Sequence, residues 1–172
     1  MSDNGSAVFV QGASSSVGLV GKENYLTGIN GIKNTNGDVN LTATGDNNTI
    51  FAQTGISLDN NASSANNKAS VNLITDKDNE IYSNDKAVYT QGSISTNDVG
   101  TVTLDANNNK LIAGKTGIET NVRTSVNLDA DDTNALQVGN VIEFIDENTK
   151  ATSYFGDGIA IKANDEGVVT LT

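Results

Sequence analysis

Three aspartates are the first residues in this chain that could act chemically together. Asp105 and Asp129 each directly follow a Val-x-Leu triplet, and Asp131 lies two residues beyond Asp129. If the two triplets occupy neighbouring strands in one register, the two carboxylates stand about 5 Å apart. Like charges so placed repel unless a cation or a shared proton relieves them. Three readings follow. A hard cation such as Ca²⁺ could bridge Asp105, Asp129 and Asp131, because it takes oxygen ligands. A retaining glycosidase pair is the second, since such enzymes hold two carboxyls about 5 Å apart. The third is a solvated turn with splayed side chains, and it is preferred: no aromatic sugar platform lies near these residues in sequence. Asp76-Lys77-Asp78-Asn79 begins like a calcium loop but lacks the following Gly and distal Glu.

A second candidate is aromatic. Phe144, Tyr154 and Phe155 are three of the eight Phe and Tyr residues, and all fall within 137–157. There Val141-Ile142-Glu143-Phe144-Ile145 and Thr152-Ser153-Tyr154-Phe155 flank Asp146-Glu147-Asn148, which reads as a hairpin-like insertion. The three rings either form an exposed contact for a sugar or protein, or pack over the side of the fold. With no His and no Cys, the Ser-His-Asp and Cys-His nucleophile systems and ordinary zinc sites are excluded. The chain reads as a non-enzyme.

The elements that position these residues are written as a repeat. Val-x-Leu recurs at Val17-Leu19, Val39-Leu41, Val71-Leu73, Val102-Leu104, Val126-Leu128 and Val169-Leu171. Asn-x-Ile/Leu follows at Asn24-Leu26, Asn48-Ile50, Asn79-Ile81, Asn109-Leu111 and Asn134-Leu136. Gly/Ala-Ile/Val completes the cycle at Ala7-Val8, Gly31-Ile32, Gly55-Ile56, Ala87-Val88, Gly117-Ile118 and Gly158-Ile159. Each signature is a short period-2 apolar pattern bounded by turn formers, the mark of a short strand. Three strands per cycle over about six cycles predict one all-β solenoid, a parallel β-helix of six three-strand coils. At ~4.8 Å per coil the rod would be roughly 25 to 30 Å long.

Period-2 alternation turns the Val and Leu of each triplet inward, predicting columns of Val39, Val71, Val102, Val126 and of Leu41, Leu73, Leu104, Leu128. The Asn of each Asn-x-Ile/Leu also turns inward, at a corner, where stacked amides can bond from coil to coil. The repeated Gly is assigned to a turn needing positive φ. Insertions are expected between the Gly-Ile and Val-x-Leu strands at 57–70 and 89–101.

Composition limits the partners. A net charge of −11 argues against nucleic acid and anionic membrane surfaces. No apolar run reaches the roughly 18 residues of a membrane span. The strand-like ending Val168-Val169-Thr170-Leu171-Thr172 suggests a fragment of a longer protein. Open strand edges at the ends of such a rod predict end-to-end association.

The pattern resembles the repeat-containing passenger region of autotransporter adhesins of Gram-negative bacteria. Gly31-Ile32 with Val39-Asn40-Leu41, and Gly117-Ile118 with Val126-Asn127-Leu128, carry the resemblance. It implies a right-handed β-helix displayed outside the cell, on a parent anchored in the outer membrane. It further implies attachment to a protein or glycan on a host or neighbouring cell. A polysaccharide lyase or hydrolase on the same scaffold, or a spacer without ligand, are the alternatives.

Overall fold

The computed structural model describes residues 5–12, 15–60, 69–93, 99–139 and 158–172. The predicted insertion aromatics Phe144, Tyr154 and Phe155 lie outside the described residues, as does most of 137–157. Among the described residues twelve strands wind through one parallel sheet. They are β1 (Ser6–Gln11), β2 (Ser16–Gly21), β3 (Asn24–Thr35), β4 (Asp38–Ala43), β5 (Asn48–Asn60) and β6 (Ser70–Thr75). Next come β7 (Asp78–Gly92), β8 (Gly100–Ala113), β9 (Thr116–Asn121), β10 (Thr124–Val138), β11 (Ile159–Ala163) and β12 (Val168–Leu171). Among the described residues no helix is long and apolar enough to cross a membrane.

Long strands turn a corner without breaking. β3, β5 and β7 each carry an Asn-x-Ile/Leu half and a Gly/Ala-Ile/Val half, whereas β8 and β10 join a Val-x-Leu half to an Asn-x-Leu half. The result is a parallel β-helix with three faces, here called the Val-Leu, Asn and Gly-Ile faces. On the Val-Leu face Val17, Val39, Val71, Val102, Val126 and Val169 pair in unbroken register. Leu19, Leu41, Leu73, Leu104, Leu128 and Leu171 do the same two residues on. The four central members of each column are almost wholly buried. Ile50, Ile81 and Leu111 from the Asn face and Ile32, Ile56, Val88 and Ile118 from the Gly-Ile face fill the rest of the core. Each such burial contributes about 1.5–3 kcal/mol, so a one-residue slip of any coil would be heavily penalised.

The asparagine column forms at the corner entering the Asn face. Asn24 Nδ2 donates to Asn48 Oδ1 at 2.8 Å, Asn48 to Asn79 at 3.0 Å, Asn79 to Asn109 at 3.0 Å and Asn109 to Asn134 at 2.9 Å. Every amide oxygen after the first therefore accepts from the coil before. The amide nitrogens also reach corner carbonyls, as Asn79 does at Leu73 and Asp105. Asn48, Asn79 and Asn109 are completely buried and satisfied.

The repeated glycine works differently from the expectation. Gly31, Gly55 and Gly117 are not in the positive-φ region, which among the described glycines only Gly12 and Gly139 occupy. A Cβ on Gly31 would collide with the Ile50 side chain and the Gly55 carbonyl, and one on Gly55 with Ile81 and the Ala87 carbonyl. Close approach of coils, not backbone handedness, selects Gly at 31 and 55, whereas the coil of Ala87 accommodates a methyl at this corner. Positive φ appears instead at the turns leading into the Val-Leu face, at Asn36, at Val122 and Arg123, and at Asp165 and Glu166.

The expected insertions are shorter than read from sequence. Ser57–Asn60 continue β5 and Tyr89–Gly92 continue β7.

Candidate functional site

Because the inward positions are committed to packing, a site among the described residues is built from outward positions. The fold brings Asp105 and Asp129 into direct register on β8 and β10, following Ile74 of β6 in the same column. Both are exposed, and Asp129 Oδ1 accepts a hydrogen bond from Thr172 Oγ1 at 3.1 Å. Asp131 sits on the exposed bulge between Ala130 and Thr133. Among the described residues no group of three His, Cys, Asp or Glu side chains gathers to hold a metal ion.

The Asn face carries a richer constellation, which the sequence reading did not single out. The residue after each Asn-x-Ile/Leu triplet points outward, and in successive coils it is Thr27, Phe51, Tyr82, Ile112 and Gln137. Phe51 and Tyr82 stack with ring centroids 4.6 Å apart and planes within 7°. Tyr25, in the neighbouring outward column, leans onto Phe51 at 5.4 Å and 43°. Rings stacked one coil above another spend their faces on each other and present edges to solvent. Such pairs add about 0.5–1.5 kcal/mol each beyond burial, and so stiffen the rod. Aligning the triplets on one another is the signal that reveals this column.

Beside it, the column Tyr25, Thr49, Glu80, Lys110 and Ala135 changes from aromatic to charged to small. Tyr82 Oη donates to Glu80 Oε1 at 3.0 Å, and Lys110 Nζ donates to Tyr82 Oη at 3.3 Å and lies 3.7 Å from Glu80. The same ammonium lies 5.4 Å from the Tyr82 ring centroid. Burial pushes the Tyr82 phenol up, and its hydrogen bond to Glu80 adds to this against the opposing effect of Lys110. The hydrogen bond to Tyr82 is the main cause that holds Lys110 above the ordinary lysine value. Both shifts keep the protons of Tyr82 and Lys110 in place at neutral pH, so these two groups act as hydrogen-bond donors beside the Glu80 carboxylate. One coil further on, where Lys110 gives way to Ala135, a hollow of about 310 Å³ opens. Asp78, Glu80, Asn108, Lys110, Thr133 and Ala135 line it.

The Gly-Ile face is a charge ladder. Glu119 lies between Lys86 at 2.8 Å and Lys162 at 2.9 Å, and Lys86 Nζ rests 4.3 Å from the Tyr89 ring centroid. Burial alone would raise the Glu119 carboxyl, but the hydrogen bonds from Lys86 and Lys162 outweigh it and hold the group below the usual value. These bonds tie β7, β9 and β11 together from outside.

No protein-family model matches the chain, and neither a curated protein nor a solved structure is found to be similar to it.

Proposed function

We propose that this chain is a rigid display module of a cell-surface adhesin, attaching to a host or neighbouring cell through its outward faces. The observation that carries the reading is the unbroken registration of six strands on the Val-Leu face. A backbone fixed by ladders on every coil holds outward side chains at a constant pitch without spending stability on them. Export and display outside the cell belong to this reading, supported by the resemblance of the repeats. The test is saturable binding of the labelled chain to cultured epithelial cells and to bacterial cells. Binding that survives in the folded chain and disappears on unfolding is expected. Its absence on every surface tried would overturn the reading.

Self-association is part of the same proposal. β11 and β12 leave Ile159, Ile161, Val168 and Leu171 between 40% and 53% exposed, at one open end of the described sheet. Val169 and Leu171 repeat the Val17 and Leu19 of the opposite end, so a second copy can continue the columns head to tail. Sedimentation velocity from micromolar to millimolar protein should show a rising weight-average mass. A constant monomer mass would remove this element.

A further inference from the structure

We infer that the hollow on the Asn face is a subsite for one unit of an uncharged glycan, an inference that rests on the display reading and names the ligand of one face. Four observations lead there. The hollow is open, and the exposed Ala135 in its lining takes a position filled by Lys110 and Glu80 in the preceding coils. Its lining holds both acceptors and donors: the Asp78 and Glu80 carboxylates, the Lys110 ammonium and the Thr133 hydroxyl. A sugar ring offers adjacent hydroxyls that both donate and accept, so it satisfies such a lining without leaving either kind of group unpaired.

The third observation is preorganisation. Asn108 Nδ2 donates to Asp78 Oδ1 at 2.8 Å, and Glu80 and Lys110 are both held through Tyr82, which is stacked on Phe51. Little side-chain freedom remains to be lost on binding. The fourth is charge. Two carboxylates against one ammonium give the lining a net negative charge, and the whole chain carries −11. Acidic sugars are repelled; neutral ones are not.

Saturation-transfer NMR on the intact chain tests this with cellotetraose, maltotetraose and chitotetraose as neutral probes and tetragalacturonate as the acidic one. Ala135→Leu fills the hollow from an exposed position, and Asp78→Ala removes one acceptor; circular dichroism checks that each variant is folded. At least one neutral tetrasaccharide should bind, with a tenfold or greater loss of affinity in both variants and no signal from tetragalacturonate. Silence from all three neutral probes, equal or tighter binding of the acidic probe, or neutral binding unchanged in Ala135→Leu would each overturn the assignment. The display reading falls separately, on the cell-binding assay. Cell binding that persists in wild type and in Ala135→Leu, with no sugar signal, rejects the subsite and leaves the rod's display role standing.

Discussion

Replacing Asn79 by Asp changes one atom type in the middle of the buried amide column and should make the fold's stability depend on pH. The Asn79 oxygen accepts from Asn48, and Asp serves there equally well. The nitrogen faces three acceptors, namely Leu73 O, Asp105 O and Asn109 Oδ1, at 3.1, 3.2 and 3.0 Å. A carboxylate oxygen in that place has no donor to offer, and the site is completely buried. The group escapes by binding a proton, so its folded pKa rises above the ordinary value of about 3.9. At pH 7 that proton costs about 4 kcal/mol, which caps the ionisation penalty. The neutral acid restores one donor, leaving a residual loss of about 1–3 kcal/mol for the other. The sign follows from linkage: the folded state binds the extra proton, so stability is greatest below the unfolded pKa and falls as pH rises toward the folded one. The expected slope is about 1.4 kcal/mol per pH unit. Urea denaturation followed by circular dichroism between pH 5.5 and 7.5 measures it, well above the pI near 4.1. Asn79→Leu provides a variant without the titrating group. An Asn79→Asp penalty that is absent, or equal at both pH values, would refute the claim that this amide must donate.

The other predictions concern packing, charge and backbone. Leu73→Ala, at a fully buried position in the middle of the Leu column, should cost about 2–5 kcal/mol in urea denaturation. Glu119 contributes stability that is present above its ordinary pKa and is lost as pH falls through the lowered folded value. Its carboxyl resonance should therefore titrate below the usual glutamate range, and Lys86→Met should move that midpoint upward. Val122 is a β-branched residue at φ 35°, so Val122→Asn should stabilise by about 1 kcal/mol in thermal unfolding.

What could be read from the sequence is what the repeat encodes. Val-x-Leu fixes which side chains face inward, because strand alternation leaves no freedom once one face is apolar. The amide column was equally legible, since an Asn two residues before a buried Ile must point the same way and needs a partner. The glycine assignment failed for a physical reason. A small residue at a corner is equally consistent with positive φ and with a close neighbour, and only the position of Ile50 and Ile81 distinguishes them. The Asn-face constellation was missed because its members share no type. Tyr25, Glu80, Lys110 and Ala135 look unrelated until the coils are laid in register.

That contrast bears directly on where function resides. The six coils act as an internal comparison of one another, each solving the same folding problem with its own residues. Inward, the answers are nearly identical: Val with Val and Leu with Leu in six strands, and Asn with Asn in five. Outward, one column on the Asn face runs Tyr25, Thr49, Glu80, Lys110, Ala135. Folding alone asks of an outward position only that it tolerate a strand, and many residues do. Variation among outward residues is therefore cheap in stability, so a surface can acquire a hollow at Ala135 or an ion cluster at Glu80 without disturbing the core. Substitutions there should change binding and leave the unfolding midpoint nearly fixed, whereas substitutions in the Val, Leu and Asn columns should do the reverse.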